Sequence, residues 1–534
     1  MNVRVVCIQP QAYDLTQNDE ALANILVKID ETAKLEPQLI VIPECVYPSY
    51  YLGLKEEHFS KAMNKVGHVI DLLAEKAAKY NTYIVFGLVV KENDQLFNRG
   101  VLFDPQGKLV GEVNKSFMWH FDSEWFTSKN ANNIVETPYG MWGMIICADG
   151  RMPEIVRELA LQGVDLVIDL ANLTSTGKNK EQLTNAQSAF MLSTRALENN
   201  VWLVMADKVG VEANTVTYSG RSSIISPDGK VVIEASSAEE EIIFADINLS
   251  QRQDIHSMGI DVRRDRNRES YQPLIKEHST LPILKTLTQK VIPADLVIQG
   301  SCVQFEYDDQ AEYLTKIRFY IETLENQLTD VIVLPQITEV ISPSYVQQII
   351  KKNSTIVFYS SVEQREKDSF ISLFSITKDC IEIYRKTHLT FKEKQQYKPG
   401  RNYRVKETPK GNIGLMIGED GLFPEVARIL TLQGADCIVW INELEPSLQE
   451  KIARTRAAEN KIFVLTSSQL NKWDTATSIV VDPNGNIIAS TLEGNEQALS
   501  IQIPLVLSRC KMIVPETNAI LNRKPESYRR LLGN

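Results

Sequence analysis

The chain has 534 residues, 43% hydrophobic and 23% charged, with a net charge of −11. That balance suits a folded chain with sizeable cores and excludes disorder over most of its length. An acidic surface repels phosphate backbones, so nucleic acid is not expected as a partner.

The elements alternate along the first half. Val3 to Ile8 reads as a strand. Asn18 to Lys34 carries Leu22, Ile25, Leu26 and Ile29 at helical spacing. Leu39 to Ile42 and Tyr83 to Val90 read as buried strands. Gly143 to Cys147 is a strand, followed at once by a helix marked by Pro153, whose fixed φ suits a first helical position. Then come a strand (Asp165 to Leu170), a helix (Gln182 to Asn199) and a strand (Val201 to Ala206). Ser222 to Ser226 leads into the turn Pro227-Asp228-Gly229. Alternation of this kind indicates an α/β fold with helix-covered sheets.

The second half repeats the pattern. PEIVRELALQGVDLVI from Pro153 and PEVARILTLQGADCIV from Pro424 share eight of sixteen positions, where chance gives about one. STRALENN from Ser193 matches RTRAAENK from Arg454, and SIISPDG from Ser223 matches IVVDPNG from Ile479. RNRESYQPL from Arg266 matches NRKPESYRRLL from Asn522. Two domains are expected, 1–285 and 294–534, joined near Lys276 to Pro293. The mixed-sign run Arg263 to Arg268 reads as a solvated or interdomain segment.

The cysteines are too scattered for a disulfide framework, with no CxxC pair, and their odd count suits a reducing compartment. The dispersed histidines include no HExxH, so no metal is expected. No apolar run is long enough to span a membrane, and the one at the N-terminus is too short for a signal peptide. A cytoplasmic protein with no membrane partner is expected.

Three residues stand where nucleophilic catalysis would want them. Glu44 closes a buried strand in LIVIPECVYPSYYLG, Lys115 follows a strand in VGEVNKSFMWHF, and Cys147 ends a strand just before a helix in MWGMIICADGRMPE. A thiol at a strand-to-helix turn meets a helix N-terminus, and an ammonium nearby also favours thiolate. A carboxylate can take the thiol proton and return one to a leaving amine. An ammonium can stabilise an oxyanion. Taken singly, a cysteine in an apolar strand is more often core, and a strand-end glutamate or lysine is more often solvated.

Together these segments resemble the nitrilase superfamily of carbon–nitrogen hydrolases, in the family's order and in both halves. The resemblance implies tandem αββα sandwich domains, packed as an intramolecular pseudo-dimer, with further homo-oligomerisation left open. It implies Cys147 as nucleophile, Glu44 as general base and acid, Lys115 as oxyanion stabiliser, and the Ala148 N–H as second oxyanion donor. Many members carry a further glutamate, matched here by Glu124 in DSEWF, although Ser128-Lys129 replaces the Pro-Gly that often follows. Trp119, His120 and Tyr50 are candidate pocket residues, with Tyr51 beside them. No cofactor is implied. The substrate is a small amide or nitrile, attacked through a thioester. Ala148 stands where true nitrilases typically carry Trp followed by Glu, which favours an amidase. A regulatory protein on the same fold is the other class.

In the second half, Gln336 stands in the place of Glu44 and Gly418 in that of Cys147. Lys386 matches Lys115, and Glu393 is paired with Glu124. Lys115 and Lys386 are 271 positions apart, as are Cys147 and Gly418. Glycine has no side chain to form a covalent bond, so this half is expected to be non-catalytic. Cys437 reads as core.

Overall fold

The computed structural model describes residues 2–53, 56–130, 133–175, 177–251, 259–288, 296–337 and 339–533. The chain divides into two compact units. One is Met1–Asp254 with Val514–Thr517; the other is Ile255–Ile513 with Asn518–Asn534.

In the first unit one sheet runs Glu241–Asn248, Asn2–Gln9, Leu39–Val41, Tyr83–Glu92, Gln95–Phe103, Leu109–Asn114. The pairings of Leu39–Val41 with its two neighbours are parallel and the rest antiparallel. A continuous apolar run such as Leu39–Val41 suits a parallel strand covered on both faces. The other sheet runs Val231–Glu234, Ser223–Ile225, Trp202–Ala206, Leu166–Leu170, Gly140–Ile146, Asn133–Thr137, again with a parallel centre.

Helices Asn18–Thr32 and Glu56–Tyr80 cover the first sheet. Ile25 and Ile29 from one, and Val66, Val69, Leu73 and Ala77 from the other, pack on Ile8, Ile40, Ile84 and Phe86. Each such side chain contributes roughly 1.5–3 kcal/mol on burial. Pro153–Leu161 and Leu192–Asn199 pack with the second sheet. The sheets meet closely: a Cβ on Gly111 would lie 2.7 Å from Val135 of the facing sheet. The unit is an αββα sandwich.

The second unit repeats both sheet orders. The first is Gln497–Pro504, Val297–Gln304, Val331–Val333, Ile356–Arg365, Asp368–Ile376, Ile381–Arg385. The second is Ile487–Ser490, Ile479–Val481, Phe463–Ser467, Cys437–Ile441, Gly411–Ile417, Val405–Thr408. Cys437 is buried in its strand. The fold is thus two tandem αββα domains.

Some elements differ from expectation. The 25-residue helix Glu56–Tyr80 lies in a stretch where no element was expected. The helix expected from Gln182 starts as a π-type turn at Gln187–Met191 before becoming regular at Leu192. The division between units falls before the Lys276–Pro293 stretch, of which 289–293 lie outside the described residues. Residues around 266–283 pack within the second unit. Arg266 Nε lies 3.0 Å from Glu425 Oε1 in a buried pair, and Ile283 N donates to Leu432 O at 3.1 Å. Arg266 is therefore an internal ion-pair partner, while Arg264 in the same run is exposed.

Candidate active site

Glu44 is held by a break in strand pairing. Ile42 N donates to Val85 O, Gly87 N to Pro43 O and Val46 N to Gly87 O, so residues 42–46 follow the neighbouring strand. A Cβ on Gly87 would lie 2.3 Å from Pro43 O, so only glycine allows that approach. Cys45 adopts φ 42°, which turns the chain just after Glu44.

Glu44 is fully buried. Its Oε1 accepts from Lys115 Nζ at 2.7 Å and from Asn98 Nδ2. Its Oε2 has no hydrogen-bond partner among the described residues. Burial pushes the Glu44 carboxyl above its ordinary range; Lys115 opposes this and the charge of Asp122 adds to it. Lys115 is also buried. Burial works against its charge, but Asp122 and Glu44 outweigh it and hold the ammonium well above its usual value.

Cys147 follows Gly140–Ile146 and opens the short turn Cys147–Arg151 at φ 51°, in the left-handed region where side-chain-bearing residues are strained. Its N–H donates to Asp169 Oδ1 at 2.8 Å, and its carbonyl accepts from Gln187 Nε2 at 2.8 Å. Burial, then the Glu44 charge, hold the thiol well above its ordinary value; Lys115 and a backbone hydrogen bond from Asn172 favour thiolate. Ala148 is buried in the first turn after Cys147, where N–H groups lack intrahelical partners.

Asp149 ties this turn to the lysine segment. It accepts from Ser116 N at 3.1 Å, Phe117 N at 2.7 Å and Ile146 N at 3.1 Å. Burial raises its pKa to about 6, against those bonds. Arg195, from the RALEN segment, donates to Gly150 O and Arg151 O, each at 3.1 Å, and pairs with Glu198. That segment thus braces the Cys147 turn.

Glu124 does not reach Lys115. It is exposed, on the outer side of the short helix Asp122–Trp125. The carboxylate beside the lysine is Asp122, fully buried, with Oδ2 2.8 Å from Lys115 Nζ. Asp122 also accepts from Trp119 N at 2.7 Å and Tyr50 Oη at 2.9 Å. Tyr50 therefore anchors Asp122, with its ring 5.9 Å from Lys115 Nζ. Trp119 is half-buried, with the Arg151 guanidinium 5.3 Å over its ring. His120 lies at φ 46° against Phe121, and its N–H donates to Thr517. Tyr51 packs on Phe121 and Trp125.

Sequence reasoning missed Asp122, Asp149, Asn98 and Asp169. Two carried a signal. The offset of 271 places Glu393 opposite Asp122 rather than Glu124, and Asp420 opposite Asp149. In the second unit Lys386 Nζ lies 2.6 Å from Glu393 and also pairs with Glu419. Asp420 accepts from Thr387 N, His388 N and Ile417 N, as Asp149 does from its equivalents. Gly418 has φ 52°, and Gln336 is buried with Oε1 unpartnered among the described residues. Trp440 stands where Asp169 stands, and its Nε1 donates to Gly418 O at 2.9 Å.

No described helix is long and apolar enough to cross a membrane. Among the described residues, no group of three His, Cys, Asp or Glu is placed to hold a metal ion.

The chain is similar to several known proteins. The chain is 31% identical over 275 residues to a nitrilase of Pyrococcus abyssi, covering 51% of this chain and 99% of that protein. It is 28% identical over 280 residues to omega-amidase NIT2 of Danio rerio, covering 50% and 96%. A crystal structure of a carbon-nitrogen hydrolase from Helicobacter pylori aligns with a TM-score of 0.47 and 21% identity, covering 52% of this chain and 99% of that one. The carbon-nitrogen hydrolase family profile matches residues 2–257 and again 301–509. With both halves matched, the chain belongs to the carbon-nitrogen hydrolase family.

Proposed function

We propose that the first unit hydrolyses a small-molecule amide through a thioester on Cys147. The observation that carries this reading is the buried Glu44–Lys115–Asp122 chain, in which Glu44 keeps one oxygen free. Glu44 Oε2 takes the Sγ proton as sulfur bonds to the amide carbon. Lys115 Nζ and the Ala148 N–H stabilise the oxyanion. The C–N bond breaks, and the nitrogen leaves with the proton returned by Glu44. A water, deprotonated by Glu44, then cleaves the thioester, releasing the acid and the thiol. The sum is amide plus water to acid plus ammonia or amine.

A nitrile is the second reading, supported by the nitrilase relative and opposed by Ala148 in the position after the nucleophile. For the second unit, Gln336 and Gly418 support a non-catalytic copy. The scattered free cysteines favour a cytoplasmic setting. The test is ammonia release across aliphatic amides, ω-amides, N-carbamoyl compounds and nitriles, with Cys147→Ala as blank. Release from amides, absent in the blank and traced by mass spectrometry to an adduct on the Cys147 peptide, supports the reading. Full activity in Cys147→Ala refutes it.

A further inference from the structure

The second unit has a cavity of about 820 Å³ that the reaction does not use. Its volume falls in the small-molecule range of roughly 300–1,000 Å³. Arg365, Arg385, Lys398, Arg401 and Arg404 line it, against Asp368 and Glu382 as the only acids of the lining. In a chain of net charge −11, such a concentration of cations is a local exception.

The acids do not neutralise it. Glu382 is taken by Lys406, and Asp368 lies 4.0 Å from Lys398. Arg385 is paired with Glu363 at 2.6 Å. Arg365, Arg401 and Arg404 make no ion pair within 4.0 Å among the described residues, although Arg365 lies close enough to Glu363 to feel its charge. Guanidinium forks converging on one concave space suit phosphate or carboxylate oxygens.

The walls are built in advance. The segment from Lys398 to Arg404 is fixed by Lys398 N to Ser369 O, Gly400 N to Lys386 O and Leu415 N to Arg404 O. Asn267 and Ser270 add side-chain bonds to Gly400 O and Arg401 O. Phe370, Ile381 and Ile383 supply an apolar wall, with the Arg385 guanidinium 4.3 Å over the Phe370 ring.

The first unit shows that this charge is not inherited from the fold. Its matching hairpin ends with Glu92 facing Gln95, where the second unit has Arg365 facing Asp368. Glu92 there pairs with Arg99 and Lys129. Asn114, opposite Arg99, stands where Arg385 stands opposite Ser372. The copy with glycine in place of Cys147 carries arginines at these positions.

We propose that this cavity binds a small polyanion, with two or more phosphate-type groups on an apolar body. The proposal does not rest on the amidase reading. Calorimetric titration of the full chain, in magnesium-free buffer, would compare ADP, pyrophosphate and adenosine. ADP should saturate at a Kd of about 10–100 μM, pyrophosphate should bind more weakly, and adenosine should show no saturation by about 1 mM. Raising salt should weaken ADP, because exposed charges are screened over about 10 Å at 0.1 M. The exposed double variant Arg365→Glu/Arg404→Glu should lose ADP affinity by roughly tenfold or more with an unchanged unfolding midpoint. Arg401→Gln, a milder change, should lower it severalfold. Absence of saturable binding by both anions, or ADP affinity unmoved by these variants, overturns the proposal. So does binding of RNA or anionic vesicles without binding of ADP.

Discussion

Asp122→Asn tests the site most directly, because it removes one charge and almost no volume. Lys115 Nζ sits 2.7 Å from Glu44 and 2.8 Å from Asp122. At an effective dielectric of about 20, a pair at that distance has a gross attraction of about 6 kcal/mol. The net loss is smaller, since Asn keeps an oxygen for Lys115 and Trp119, and Tyr50 can accept from its amide. A charge-assisted hydrogen bond reduced to a neutral one loses about 1–1.5 kcal/mol, or roughly 5- to 13-fold in kcat/KM. The pH profile provides a second readout. Glu44 must be ionised to accept the thiol proton, so activity rises with pH through its pKa. Burial and Asp122 place that acid limb above the 4.5 of a free glutamate. Removing the Asp122 charge should move it to lower pH. Steady-state kinetics from acid to neutral pH, with Glu124→Gln alongside, measure both. Glu124 is exposed, and its variant should stay within about twofold of the parent. If Asp122→Asn keeps full activity and an unmoved limb while Glu124→Gln inactivates, the assignment of Asp122 is wrong.

Asp149→Ala leaves three buried N–H groups without an acceptor and should destabilise the protein by about 3–5 kcal/mol; an unchanged urea midpoint would contradict that. The pseudo-dimer that the resemblance implies predicts that a fragment of residues 1–285 is poorly soluble or self-associates in analytical ultracentrifugation. A stable, fully active monomer would refute that pairing.

The sequence carried the sandwich and the three proposed catalytic residues because strand ends are local: apolar runs stop, and Glu44, Lys115 and Cys147 stand at the stops. The carboxylate beside Lys115 is set by tertiary packing. In DSEWF two acids lie two positions apart, and one helical turn buries Asp122 and exposes Glu124. The internal repeat resolves that choice through Glu393, because the second copy preserves the lysine–carboxylate pair after losing the nucleophile. Helix Glu56–Tyr80 was hidden for another reason. Its buried stripe is sparse, Ala62, Val66, Val69, Leu73 and Ala77, and Gly67 interrupts it amid charged residues. Of the cations lining the cavity of the second unit, Lys398, Arg401 and Arg404 lie close together in sequence, but Arg365 and Arg385 join them only after strands and loop converge.

The backbone at this turn explains why glycine suits the second copy where the first carries the proposed nucleophile. Cys147 has φ 51° and Gly418 φ 52°, so both copies keep the same left-handed turn. A residue with a Cβ pays about 1–2 kcal/mol there, and glycine does not. In the proposed mechanism, cysteine at this position is a strain that the covalent step justifies. In a copy without that step, glycine relieves it, offset by roughly 0.5–1 kcal/mol of extra unfolded-state freedom. The ordinary preference for alanine over glycine should therefore vanish or invert at position 147. Cys147→Ala loses the sulfur and keeps the strain, whereas Cys147→Gly loses both. In urea unfolding, the glycine variant should be equal to or up to about 1 kcal/mol more stable than the alanine variant. At position 418 the reverse change should cost about 1–2 kcal/mol. There an added Cβ would also lie 2.9 Å from Lys386 Nζ, which must shift. Should Cys147→Ala prove clearly more stable than Cys147→Gly, the turn is not strained, and loss of the second nucleophile gained no stability from its backbone.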